Sequence, residues 1–216
     1  QSAGGILRLV GDEVQGGIIE IGRYEPKAAA FDAIRITGAL PYASLEEWDG
    51  FLLRLDALSK GDVSEVFRAR LESVEVQAAE FDLFGYALEE VALGLYPDTD
   101  GWRMTLLNSE VDGMVRLNDD PDAPLEIVLD NLNLISDGEI TDPLAGLTSE
   151  DLLPAEVLIR SVVWEGEDFG SWQFRVQPDD EGVRLSNLVA KSKGMLIDVK
   201  DGLHWYPASE APYTKF

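Results

Sequence analysis

The sequence predicts a mainly β fold: a twisted, open antiparallel sheet, groove- or solenoid-like, built from a repeat of about 81 residues and carrying one or two short helices. Three observations predict it. First, the turn LYPDTDGWRM at 95–104 returns as VQPDDEGVRL at 176–185, so Pro97, Asp98, Gly101 and Arg103 precede Pro178, Asp179, Gly182 and Arg184 by 81 positions. Second, the same offset holds far beyond the turn. It joins Glu75 to Glu156, Val76 to Val157, Gly85 to Gly166, Leu107 to Leu188, Gly113 to Gly194 and Met114 to Met195. It also superposes Leu83 on Trp164, Leu88 on Phe169, Val91 on Trp172, Leu93 on Phe174 and Leu95 on Val176. A fixed offset of this kind marks a repeated structural unit. Third, apolar and polar residues alternate through these stretches, the pattern of strands with one face wet.

The elements follow in order. Residues 1–38 form a partial β repeat, since LRLVGDEVQGGIIEI at 7–21 resembles MTLLNSEVDGMVRLN at 104–118. Residues 39–62 are a helical insertion. Ser44 and Glu47 have capping-box spacing, Trp48, Phe51, Leu52 and Leu55 make an apolar stripe at helical period, and the helix spans 44–58. Residues 63–135 are the first full repeat, with Val91, Leu93 and Leu95 on one strand face and Leu125, Ile127 and Leu129 on another. Residues 136–154 are a connecting loop with one helical turn at 149–153, and the hinge of the chain. Residues 155–216 are the second repeat. There Trp172, Phe174 and Val176 share a face opposite Gln173 and Arg175, and Met195, Ile197 and Val199 share another. All five segments are read as one continuous repeat domain. In both P-D-x-x-G turns proline presets φ, aspartate bonds nearby amides and glycine takes a positive φ.

Composition narrows the function. Forty-one acidic side chains against 17 basic give a net charge of −24. Such a surface repels nucleic acid and anionic headgroups. The absence of cysteine removes disulfides, thiol catalysis and thiolate metal sites. No apolar run approaches the roughly 18 residues of a membrane span. The chain opens at Gln1 without methionine and is read as a piece of a longer protein.

Catalytic chemistry finds no support. The acid pairs Glu46–Glu47, Glu89–Glu90, Asp119–Asp120 and Asp179–Asp180 are neighbours in sequence, whereas glycoside hydrolysis needs two carboxylates converging across a cleft. The oxygen-rich turns at 98–101 and 118–122 lack the twelve-residue calcium loop. His204 is the only histidine and precedes Trp205, Tyr206 and Pro207, so packing is its expected role. No metal or cofactor site is expected, and the chain is read as a non-enzyme.

Three stretches resemble one family. GALPYASLEEWDGFL carries G-x-L-P followed by tryptophan, and PLEIVLDNLNL carries a proline-led strand of spaced apolar residues. From Leu152 to Trp205 the order is LP, apolar strand, G-x-x-x-G, aromatic strand, P-x-x-x-G, L-x-x-L and a closing tryptophan. Together these cover most of 36–206 and are similar to the YhdP group of AsmA-like bacterial envelope proteins. The resemblance implies an inner-membrane anchor on a segment absent from this chain. It implies a periplasmic body formed by a long curled sheet, and phospholipid transport towards the outer membrane.

On that basis Val91, Leu93, Leu95, Trp172, Phe174, Val176, Leu185, Ile197 and Val199 are the expected wall of a groove for phospholipid acyl chains. Trp48, Phe51, Leu52 and Leu55 are the expected plug. Protein partners are unknown, and no nucleic acid is expected. Two alternatives stay open: a structural periplasmic spacer, and a closed β-sandwich binding module with a dry core.

Overall fold

Alternating runs of apolar and polar residues become long strands. The computed structural model describes residues 3–11, 13–22, 32–44, 69–83, 86–120, 122–134, 152–179, 182–200, 202–206 and 213–215. The chain divides into two compact units, Gln1–Asn108 and Ser109–Phe216.

The first unit contains β1 (Ala3–Val10), β2 (Glu13–Ile21), β3 (Ile34–Leu40), β4 (Ala43–Ser44), β5 (Leu71–Leu83), β6 (Tyr86–Asp98) and β7 (Gly101–Leu107). They lie side by side in the order β1-β2-β3-β5-β6-β7, and β4 continues beside the end of β5. The second unit contains β8 (Val111–Asn118), β9 (Leu125–Leu134), β10 (Ala155–Trp164), β11 (Glu167–Pro178), β12 (Val183–Ser192), β13 (Met195–Val199), β14 (Leu203–Tyr206) and β15 (Tyr213–Lys215). Its order is β8-β9-β10-β11-β12-β14-β15, with β13 and β14 end to end along β12. Each unit is an open sheet, and the fold is mainly β.

The sheets are mixed and not purely antiparallel as the sequence predicts. β2 runs parallel to β3, β3 and β4 to β5, and β9 to β10. Chain length explains it. A parallel neighbour needs a crossover of a dozen or more residues, and the long connections 22–33, 41–70 and 135–154 fall at these places. Elsewhere short turns impose hairpins. Glu165–Gly166 and Lys193–Gly194 both carry positive φ at two successive residues (50° and 79°, 46° and 80°). That is the backbone of the primed two-residue turn, whose twist matches that of its strands.

The 81-residue offset lays β6 on β11, β7 on β12 and β8 on β13. In the P-D-x-x-G turn of the second unit, the Asp179 carboxylate accepts the Gly182 N–H at 2.8 Å, and the Asp179 N–H donates to the Gly182 carbonyl at 2.8 Å. Gly182 is required for a reason the sequence does not show: a Cβ there would strike the Trp205 carbonyl on β14.

The expected helix at 44–58 lies outside the described residues from 45 onward, so Trp48, Phe51, Leu52 and Leu55 do too; Ser44 itself belongs to β4. Of the expected turn at 149–153, only residues 152 and 153 are described, without regular structure.

The first unit buries one face of β5 and β6. Val74 faces Leu95, Val76 faces Leu93, Ala78 faces Val91 and Phe81 faces Leu88, all at 5% exposure or less. The second unit gathers around Ala155, Val157 and Ile159 of β10.

Candidate functional site

Strand register builds the site. On one side of the second unit, Leu125, Ala155, Val176, Leu185 and Leu203 form a row across five strands. Ile127, Val157 and Phe174 form the next row. Leu129, Ile159, Trp172, Ala190 and Ile197 form a third. Between Gln173 and Arg175 the register shifts by one residue, and Asn187 takes a left-handed φ of 53°. Asparagine tolerates that backbone better than most residues. The shift allows Leu185, Leu188 and Ala190 to share the apolar side despite their odd and even numbers.

This face is only partly covered. The three β10 residues are buried, while Leu125, Ile127, Leu129, Trp172, Phe174 and Val176 pack against them half-buried. Leu185 and Val199 are also half-buried, and Ile197 is 38% exposed. Open apolar surface is found at the turns: Trp164 and Phe169 of the β10–β11 hairpin meet at 6.2 Å between ring centroids and are exposed, as are Met195 and Leu196 at the start of β13. The Trp172 indole N–H donates to the Phe169 carbonyl at 3.1 Å.

The opposite side is ionic. Arg116 faces Glu126, Glu126 lies beside Glu156, and Glu156 faces Arg175. The two neighbouring carboxylates are each paired with an arginine, at 3.3 Å for Arg116–Glu126 and closer for Arg175–Glu156. Arg160 pairs with Asp130. Lys193 reaches Glu167 at 2.8 Å and joins the β12–β13 hairpin to the β10–β11 hairpin. Its hydrogen bond and charge hold the Glu167 carboxyl below the usual range. In the first unit Arg35 donates to both Glu72 oxygens at 2.8 and 2.5 Å, which likewise lowers the Glu72 carboxyl. Burial and then the Glu75 charge push the Tyr96 phenol up. These pairs make one side of each sheet a solvated surface.

The predicted wall residues therefore divide. Trp172, Phe174, Val176, Leu185, Ile197 and Val199 come together on the partly open face. Val91, Leu93 and Leu95 lie in the first unit and are 0–4% exposed. The sequence-based list omits the β9 and β10 members, Leu125, Ile127, Leu129, Val157 and Ile159. Alternation in PLEIVLDNL marks a face, but a parallel pairing across a 20-residue connection leaves no local signal.

The acid pairs do not converge. Glu89, Glu90, Asp119, Asp120 and Asp179 are exposed, while Asp180 and Glu46–Glu47 lie outside the described residues. The oxygens at 118–122 serve turn bonds: Asn118 accepts the Asp120 N–H at 3.2 Å, and Asp120 accepts the Asp122 N–H at 3.0 Å. Among the described residues no three acidic or histidine side chains are grouped to hold a metal, and no helix is long and apolar enough to cross a membrane.

No curated protein matches the chain. The family described as YhdP protein matches residues 5–215, nearly the whole length. A one-sided apolar sheet with an ionic back, repeated along the chain, accords with that match: the chain belongs to the YhdP family, in the AsmA-like group of bacterial envelope proteins.

Proposed function

We propose that the chain is a segment of a passive hydrophobic conduit for phospholipid, with the face formed by β9–β13 as the wall on which acyl chains lie. The supporting observation is the set of unbroken apolar rows from Leu129 to Ile197 and from Leu125 to Leu203, half-covered by the protein itself. Contiguous apolar surface left open is a binding surface or an aggregation hazard. Five neighbouring strands span about 19 Å, against about 15 Å for one leaflet of a bilayer core. Within the second unit the rows cross the strands.

On this reading the chain stands in the periplasm, as part of a protein anchored in the inner membrane by a segment outside this sequence. The ionic back faces water. The role requires no bond chemistry, because the lipid leaves unchanged.

Native mass spectrometry of the chain purified from a bacterial host, followed by lipid extraction, tests the proposal. Phospholipid at fixed stoichiometry, lost in Phe174→Asp and Trp172→Asp with the fold intact, is the expected result. A lipid-free chain that also fails to take up fluorescent phospholipid contradicts it. That outcome favours a closed core, with which the near-complete burial of Val91 and Leu95 in the first unit is consistent.

A further inference from the structure

β13 and β8 hold the same place in the repeat but not the same neighbours. β8 has β9 along one side, antiparallel, from Val111–Leu132 to Arg116–Glu126. Among the described residues β13 pairs with β12 alone, from Leu188–Val199 to Ser192–Met195, with no register shift. Its other edge is open. Met195 and Leu196 are each 62% exposed and Ile197 is 38% exposed. Successive strand residues point to opposite faces, so β13 is bare on both. An edge of this kind is a template for another strand unless proline, a bulge or charge blunts it. β13 has no proline, its ladder is regular, and Asp198 is its one charged residue. The Lys193–Glu167 pair ties its hairpin to the β10–β11 hairpin, so β13 is anchored from the inner side.

We propose that the outer edge of β13 is a strand-addition site, and that its occupant is an extended segment of the β9 type: proline-led, apolar at alternate positions and antiparallel to β13. Two observations set the orientation independently. The first is β9 on β8. The second is β15, which runs antiparallel to β14 through Tyr206–Tyr213, Trp205–Thr214 and His204–Lys215. β14 and β13 lie end to end along β12. A strand in line with β15 therefore lies along β13, starting at Val199 and ending at Met195. β15 also opens as β9 does: Glu210-Ala211-Pro212 precedes Tyr213, and Asp122-Ala123-Pro124 precedes Leu125. Backbone hydrogen bonds supply affinity in strand addition, and alternate side chains supply specificity. Here alternate apolar residues of the occupant would continue the side of Ile197 and Val199, and those between would meet Leu196.

The probe is a synthetic peptide copying residues 122–134, added to the intact chain. With the peptide at about ten times its Kd, hydrogen exchange of the outward amides among 195–199 should slow about tenfold, while that of β8 stays the same. A nitroxide at the peptide N-terminus should broaden Asp198 and Val199 more than Met195. A peptide carrying Val128→Pro and Asn131→Pro lacks one ladder donor on each edge and should give neither effect. No added protection at 195–199, broadening strongest at Met195, or an equal response to the proline peptide overturns the site. So does protection that needs no peptide and grows with chain concentration, which gives the edge to a second copy. None of these readouts involves lipid, so failure here is distinct from failure of the conduit reading.

Discussion

β6 and β11 occupy the same place in the repeat and read alike, yet they meet different surroundings. Leu88, Val91, Leu93 and Leu95 correspond to Phe169, Trp172, Phe174 and Val176. Leu88 is fully buried and Phe169 is 41% exposed; Val91 and Leu95 are fully buried, while Trp172 and Val176 are half-open. The more open copy carries the larger side chains. Alternation therefore reports which face is apolar, and not whether anything covers it. The connections that precede the two copies differ as well. Residues 41–70 contain Trp48, Phe51, Leu52 and Leu55 at helical spacing, whereas 135–154 are shorter and lack an aromatic residue.

The comparison breaks most visibly by placing a charge on each copy. Leu95→Asp should cost more than about 4 kcal/mol, since it buries a carboxylate with no partner, and urea denaturation should show the loss. Phe174→Asp on the half-open copy should cost about 1–2 kcal/mol. Equal losses at the two positions would mean that both faces are closed cores.

Glycines sharpen it next. A Cβ on Gly170 would strike the Lys191 carbonyl, and its φ is 69°. Gly170→Ala should therefore cost about 2 kcal/mol or more. Gly166 also has a left-handed φ, but its Cβ would point into open space; Gly166→Ala should cost about 1 kcal/mol. Thermal unfolding of both variants checks the order.

The smallest effect belongs to the exposed pairs. Glu167 is held low by Lys193, so whatever the pair contributes is present above the ordinary carboxylate range and lost as pH falls through the lowered Glu167 value. Both groups are exposed, so solvent and salt screen the pair. Glu167→Gln should change the thermal midpoint less than either glycine variant, and any change should vanish in 1 M salt.

Much of the fold was legible because each repeat signals itself locally. The P-D-x-x-G turn at Pro178–Gly182 marks the β11–β12 hairpin, and Trp172–Phe174–Val176 marks a face. What escaped was long-range. Nothing in 135–154 announces that β9 and β10 run parallel, so the sheet was expected to be antiparallel and Ile127 and Val157 were not placed beside Phe174. The wall residues Val91, Leu93 and Leu95 were grouped with Trp172 and Phe174 because both sets alternate; burial separates them, and burial depends on packing partners that alternation does not encode. The Phe174 and Asn187 register shift was likewise invisible, since it leaves Leu185 and Leu188 out of strict alternation.

The most direct test places a spin-labelled phospholipid, with its label in the acyl chain, beside the methyl groups of both units in NMR. Selective broadening of Leu125, Leu129, Val157, Val176 and Leu185, with Val91, Leu93 and Leu95 unaffected, is the predicted result. Broadening that spares the second unit, or that strikes both units equally, would contradict an apolar face open to lipid in the second unit and a closed one in the first.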